Sequence, residues 1–374
     1  MDEIGVGLIG CGNISTIYFT NIPKYRGIKV RACADLRSEV AAVQGKKFGV
    51  EALSVDQLLG RDDIGIVVNL TVPNAHSAVS LAALSAGKHV FSEKPLAVDL
   101  DLGRQVVAKA EERGLMVGCA PDTFLGAGGR LARRLLDEGA IGRVLSGAAF
   151  VMSHGMEHWH PDPEFFFKPG AGPVLDVGPY YITAFVNLLG PISRVHSITS
   201  TGFPERVVTA EGARKGHRIK VETPTTLLSL LEFAGGQQMT FSASWDVWKH
   251  SHPPIELYGV DGSMRVPDPN FFGGMVEVTE RGGDWVSHDS VAMPLGKPNW
   301  PADAPRAANY RALGVAEMAA ALRNGQHNHA SGRLALHVLE VMDAIVRGGA
   351  STIATTTERP RALSEEDARA LYAR

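Results

Sequence analysis

The sequence has few cysteines, no excess of one charge and no long apolar run, and each shortage closes off a class of protein. Three cysteines occur, Cys11, Cys33 and Cys119, without CxxC spacing. That argues against a disulfide scaffold or a thiolate metal centre, and their place in or beside apolar runs suits buried free thiols in a reducing compartment. Lys and Arg number 37 against 40 Asp and Glu, a net charge of −3, so no strong field recruits nucleic acid or anionic lipid. No apolar stretch approaches membrane-spanning length, which leaves no membrane partner to expect. The opening "MDEIGVGLIG" begins acidic and lacks a basic region, a long apolar core and a cleavage site, so a cytoplasmic chain is expected. Internal repeats and low-complexity tracts are also missing.

What is present is a chain of 374 residues, more than one core usually serves. Up to residue 121, short apolar runs (4–10, 28–34, 64–70, 88–92 and 115–120) alternate with helical patterns at 75–87 and 99–114, each ending on glycine. Asp99 stands where an N-cap belongs. Such alternation predicts βαβ units and a parallel sheet. After a helix near 124–138 the rhythm changes: four apolar stretches between 223 and 288 follow one another with glycine turns at 235–236, 261–262 and 282–283, and read as a meander. Helical segments at 305–324 and 331–347 and a short helix capped by Ser364 close the chain. The expected fold is α/β: a dinucleotide-type parallel-sheet domain over 1–121, then an α+β domain over 122–374 with an open, mostly antiparallel sheet.

"GLIGCGNIS" places Gly10-x-Gly12-x-x-Ser15 directly after the first strand. Gly10 allows the tight turn, Gly12 allows a pyrophosphate to approach the backbone, and Ser15 is small enough for the helix to pack on the strand. This is a Rossmann-type loop, with Gly10, Gly12, Asn13 and Ile14 expected around the phosphates. Asp35, at the end of the second strand, would take the ribose hydroxyls and repel a 2′-phosphate, whereas nearby Arg37 would tolerate one. The cofactor is NAD or NADP, with NAD favoured.

In an open parallel sheet, ligands sit beyond the carboxyl ends of the strands. Lys94 of "FSEKPLA" leaves such an end, as do Thr71 and Pro73 of "NLTVPNAH" and Asp122 of "APDTF". These stretches, with "GAGPVLDVGPYY", resemble the Gfo/Idh/MocA oxidoreductases, the glucose–fructose oxidoreductase and inositol dehydrogenase family, over almost the whole chain. The resemblance implies that Lys94 is catalytic, that the Lys94–Pro95 peptide is cis, and that Glu93 and His76 line the cofactor pocket, beside Thr71, Pro73 and Asn74. It also implies Asp176 as catalytic in a D-x-G-x-H pattern whose histidine position holds Tyr180, as in the glucose–fructose oxidoreductase and dimeric dihydrodiol dehydrogenase types. A further family aspartate position holds Thr183, a residue expected with Asp122 to contact the substrate, and the loss of that acid counts against an inositol-type substrate.

Pro179 suits the first turn of a helix, so that helix is expected to begin near Asp176, with Asp176 and Tyr180 on one face. A phenol titrates near ~10, too high for a base at neutral pH, and a neighbouring ammonium would lower that value. Tyr181 is the competing phenol. The irregular stretch 153–172 precedes this helix and can cover a substrate, with Trp159 stacking on a sugar and His160 or Lys168 bonding hydroxyls. His158 and His160 lack a third ligand at a regular spacing, so no metal is expected. The expected activity is NAD(P)-dependent hydride transfer on a secondary alcohol or carbonyl of a sugar, cyclitol or polyol. The alternatives are a dihydrodiol-type dehydrogenase and a non-catalytic NAD(P)-sensing regulator. The expected assembly is a homodimer or homotetramer formed through the C-terminal sheet.

Overall fold

A computed structural model describes residues 3–372. The first domain runs β1 (Ile4–Ile9), α1 (Ser15–Asn21), β2 (Ile28–Ala34), α2 (Ser38–Phe48), β3 (Glu51–Leu53), α3 (Val55–Leu59), β4 (Ile66–Asn69), α4 (His76–Ser85), β5 (His89–Ser92), α5 (Leu100–Arg113) and β6 (Val117–Cys119). All six strands are parallel, in the order β3-β2-β1-β4-β5-β6. The order reverses between β1 and β4, which opens a crevice at their carboxyl ends. β1 and β4 are buried along almost their whole length, as strands covered by helices on both faces must be. Asp99 caps α5, its carboxylate accepting from the N–H groups of Asp101 and Leu102, and Gly114 ends the helix in the left-handed region.

The second domain continues with α6 (Ala127–Asp137), β7 (Val144–Met152), α7 (Pro173–Leu189), β8 (Ile192–Ser200), a small hairpin of β9 (Glu205–Val207) and β10 (Arg218–Lys220), β11 (Thr226–Phe233), β12 (Gln238–Ser244), β13 (Ile255–Gly259), β14 (Gly262–Val266), β15 (Met275–Glu280) and β16 (Val286–Asp289). It closes with α8 (Leu313–Asn324), α9 (Gly332–Arg347), β17 (Gly349–Thr352) and α10 (Glu365–Leu371). Nine strands form one sheet in the order β16-β15-β14-β13-β7-β12-β11-β8-β17. Every pairing is antiparallel except β7 with β12. The expected meander is therefore interrupted: β7 inserts between β12 and β13. Its Ser146-Gly147-Ala148-Ala149 centre carries too little apolar bulk to read as a strand.

One face of this sheet packs on α7 and α9, and the other is open. β11 shows the division by alternation: Leu227, Leu231 and Phe233 are buried, whereas Leu228 and Leu230 are 52% and 60% exposed.

Helix α7 starts at Pro173, not near Asp176, and Pro179 lies inside it. A proline at N1 loses no helical bond, while the interior one has no N–H to donate to the Leu175 carbonyl four residues back. The burial of most of α7, from Pro173 to Leu189, supplies the packing that carries the helix through the break. The elements that close the second domain also return to the first. The Cys119 N–H donates to the Ala330 carbonyl, and the Arg26 N–H donates to Leu371. No helix among the described residues is long and apolar enough to cross a membrane.

Candidate active site

The site lies where the carboxyl end of β5 meets the first two turns of α7. The Lys94 Nζ donates to the Asp176 backbone carbonyl at 2.6 Å and to its carboxylate at 3.1 Å. The same ammonium stands 5.4 Å from the centroid of the Tyr180 ring. Asp176 and Tyr180 share a face because they are one helical turn apart. Thus Lys94, Asp176 and Tyr180 converge although 82 residues separate the lysine from the aspartate. The Lys94–Pro95 peptide is cis, as the resemblance implies.

Behind this corner, Glu93 is buried and fully engaged: Tyr18 of α1 donates to one oxygen at 2.8 Å, and the Lys94 N–H donates to the other at 3.0 Å. Burial acts to lower the Lys94 pKa, but Tyr180, Asp176 and Glu93 outweigh it and the value is raised. The lysine is therefore an ammonium at neutral pH, a fixed cation and not a base.

Arg311 is a second cation that sequence reasoning did not single out. Its Nη2 lies 3.4 Å from the Tyr180 hydroxyl and its Nη1 donates to Asn309 Oδ1 at 3.1 Å. Burial opposes its charge, yet Tyr180, Glu93 and Asp122 hold the guanidinium pKa above its usual value. The buried amide of Asn21, on α1, holds the backbone carbonyls of Asn309 and Arg311 at 3.2 and 3.1 Å. No local motif marks Arg311; only the return of the chain before α8 brings it here.

Tyr181, the competing phenol, is buried against Phe241 and Phe185, and burial, reinforced by Asp268, pushes its pKa far up. It belongs to the core.

At the crevice, Gly10 has φ +100°, and a Cβ there would fall 2.5 Å from the Leu70 carbonyl carbon. Gly12 differs: a Cβ would meet no protein atom within 4 Å, so the space over it is open to a ligand. Gly12, Asn13 and Ile14 are exposed, as are Pro73 and Asn74 on the loop after β4, and Thr71 is half-buried with its hydroxyl on Asn69. Asp35 accepts the N–H groups of Cys11 and Arg37 at 2.8 and 2.9 Å, which fixes its carboxylate beside the glycine loop; Arg37 is exposed, 3.9 Å away. This arrangement fits a dinucleotide: an open approach to the backbone, free N–H groups at the loop, and an acid at the end of β2.

Several expected contacts fall elsewhere. His76 is buried, its ring nitrogens 2.6 and 3.0 Å from the Pro95 and Thr71 carbonyls, so it braces the corner from behind. Asp122 is buried and accepts the Gly314 N–H in the first turn of α8 at 2.9 Å. Thr183 is buried one turn beyond Tyr180, where it lines a small cavity of about 10 Å³ together with Lys94, Pro95 and Pro179. Lys168 is committed to Glu164 at 3.4 Å and Glu222 at 3.2 Å. In the wall of 153–172, His160 accepts the Asp162 N–H and packs edge-on against Trp159, Phe165 and Phe166. Trp159 and Phe165 are 57% and 56% exposed. The wall is anchored by Arg206, whose buried guanidinium joins Glu157 at 2.8 Å, the Trp245 carbonyl at 2.8 Å and Asp246. Among the described residues, no cluster of three His, Cys, Asp or Glu side chains is placed to hold a metal ion.

Comparison with known proteins bears on both halves. Residues 4–120 match the model described as an oxidoreductase family with an NAD-binding Rossmann fold, and residues 130–265 match the GFO/IDH/MocA C-terminal domain. Levoglucosan dehydrogenase of Pseudarthrobacter phenanthrenivorans is 26% identical over 331 residues, 80% of this chain and 84% of the relative. The 1,5-anhydro-D-fructose reductase of Ensifer adhaerens is 30% identical over 177 residues, 46% of this chain and 52% of the relative. Among solved structures, levoglucosan dehydrogenase in complex with NADH and levoglucosan superposes with a TM-score of 0.79 at 22% identity, covering 95% of this chain and all of that one. An NAD-binding oxidoreductase from Klebsiella pneumoniae reaches 0.81 at 18% identity, over 95% and 100% of the two chains.

The buried Asp122 carboxyl offers a pH test. Burial is the main cause, and it raises the pKa to about 6 against about 3.9 for an unfolded aspartate. The protonated form is favoured in the fold, so this contribution is complete below pH ~4 and is lost as pH rises to ~6. A rise of that size corresponds to roughly 3 kcal/mol. Asp122→Asn keeps an acceptor for Gly314 and cannot ionise, so urea denaturation should show a smaller loss of stability between pH 4 and 7 than in wild type. An equal loss in both proteins would show that Asp122 does not titrate in this window.

Proposed function

The chain belongs to the GFO/IDH/MocA oxidoreductase family, and from that premise we propose that it moves a hydride between a nicotinamide dinucleotide and a secondary alcohol or carbonyl of a sugar, cyclitol or polyol. The observation that carries the reading is the meeting of Lys94, Asp176 and Tyr180 at the end of β5, in a sheet whose glycine loop fits a dinucleotide. The bound dinucleotide supplies the redox chemistry. Asp176 aims the ammonium of Lys94, which with Arg311 stabilises negative charge on the reacting oxygen and on the phenol. In alcohol oxidation Tyr180 Oη takes the hydroxyl proton, and in carbonyl reduction it returns one. Trp159 and Phe165 offer faces to the apolar side of a sugar ring. A sugar substrate is in keeping with the names of the relatives, which act on levoglucosan, 1,5-anhydrofructose and xylose. The same exposed rings favour the second reading, a dihydrodiol-type aromatic substrate. A pure sensor of the dinucleotide has no need of the lysine–aspartate–tyrosine cluster.

NAD is the proposed cofactor, on the strength of the fixed Asp35 carboxylate. The proposed assembly pairs a second copy of the chain on the open sheet face, where Leu228, Leu230 and the neighbouring Ile198 expose apolar surface. The chain is expected to work in the cytoplasm.

A panel of sugars, inositols and diols assayed for NADH or NADPH production identifies the substrate. With that substrate, Tyr180→Phe should lower kcat by roughly 10²–10⁴-fold and leave dinucleotide affinity nearly unchanged. An unaltered kcat would remove Tyr180 from proton transfer. Asp35→Ala should weaken NAD binding by roughly 10–100-fold, the loss of hydrogen bonds to a charged acceptor, and weaken NADP less; equal losses would overturn the ribose role. Light scattering should give a mass at least twice the 40.0 kDa of one chain, reduced to that value when Leu228 and Leu230 are both changed to Asp. A monomeric wild type at micromolar concentration would refute the sheet-face assembly.

A further inference from the structure

Between α6, the C-terminal end of α7 and residues 361–365 lies a pocket of about 280 Å³ walled by Arg130, Arg133, Arg134 and Arg361. Phe124, Leu125, Met293 and Leu363 give it apolar surface, and the carboxylates of Asp137, Glu138 and Glu365 line it as well. Two of the four arginines are satisfied. Arg133 pairs with Asp137 at 2.7 Å and donates to the Asn187 and Pro360 carbonyls at 2.7 and 3.0 Å. Arg134 pairs with Glu365 and lies 4.0 Å from Glu138.

The other two reach no carboxylate among the described residues. Arg361 donates only to the Gln326 side-chain oxygen, at 3.2 Å. Arg130 is 6% exposed and bonds the Pro294 carbonyl through Nη2, while its Nε and Nη1 have no partner. Burial, with Arg134 adding to it, pulls this guanidinium down to about 10. Glu365 alone opposes, and its carboxylate is already engaged by Arg134. At neutral pH Arg130 is still charged, so the fold buries a cation without a counter-charge. Buried charges are ordinarily paired because removing them from water is costly, and an oxyanion supplies the acceptor that a guanidinium N–H without a partner lacks.

We propose that this pocket binds a small oxyanion, a carboxylate or a phosphate ester with a compact apolar body, held by Arg130 and Arg361. The site is separate from the Lys94–Tyr180 corner. Asn187, beside it, is seven residues beyond Tyr180 on α7, about 10 Å further along the helix. The pocket volume is at the small end for organic ligands, which limits the apolar part to a few carbons.

The test reads stability and binding, not turnover. Inorganic phosphate and acetate are each titrated against chloride at equal ionic strength, and the thermal midpoint is followed. Wild type should gain roughly 2–4 °C near saturation with at least one of the two anions. A phosphate response assigns the ester and an acetate response assigns the carboxylate. Arg130→Met removes the unpaired charge, so its midpoint in chloride should equal or exceed wild type while the anion response disappears. Arg361→Gln, at an exposed position, should reduce the response and carries the test if the first variant fails to fold. No response in wild type, or an undiminished response in both variants (which would place the anion at another site such as the glycine loop), overturns the proposal.

Discussion

The ion link between Lys94 and the first turn of α7 is the contact on which the arrangement depends. It joins the end of a strand in one domain to the start of a helix in the other, and neither residue has an equivalent partner without it. An ammonium in a partly closed corner must be matched by acceptors, and here the Asp176 carbonyl and carboxylate provide two. Glu93 settles the other side, because its two oxygens are occupied by Tyr18 and by the Lys94 N–H. Helix α1 therefore has two duties. Its beginning follows the glycine loop, and its buried face, through Tyr18 and Asn21, fixes the backbone and charges of the reacting corner. A change on α1 that alters how the dinucleotide loop sits is felt at Lys94 without any contact between them.

The same logic of opposed constraints runs through the wall of 153–172. That stretch is irregular, yet Arg206 gathers its Glu157 together with the Trp245 carbonyl and the Asp246 carboxylate that follow β12 into one buried knot. The knot leaves the rings of Trp159 and Phe165 outward while Phe167 and Trp245 fill a small core behind them. Exposed aromatic surface is tolerated because the loop beneath it is held by charge, and this separation keeps the binding face independent of the packing that supports it.

What could be read in the sequence follows from range. The turn at Gly10, the cap at Asp99 and the alternation in the first domain are decided by neighbours within a few residues, and local patterns expose them. The Lys94 corner was legible through family resemblance, since nothing local says that an acid 82 residues away will meet it. Arg311, Arg206 and Arg130 were not legible at all, because their meaning comes from segments that the fold assembles from afar. Strand β7 escaped notice for another reason: a central strand flanked on both sides needs room more than bulk, and its small residues hid its pattern. Asp122 sits at the end of a strand as expected but turns inward to the Gly314 N–H, since position along a strand end does not tell which way a side chain turns.

The return of the C-terminal segments to the first sheet has a consequence for modularity. Cys119 of β6 bonds the Ala330 carbonyl, Arg323 of α8 bonds the Gly27 carbonyl, and Tyr25 stacks edge-on against Tyr372. A chain cut at residue 121 would leave β6 with an unpaired edge and strip the cover from the opposite side of α1. The first domain is thus a unit of sequence but not of inheritance: a graft that moves the dinucleotide half to another partner must carry residues from both ends of the chain.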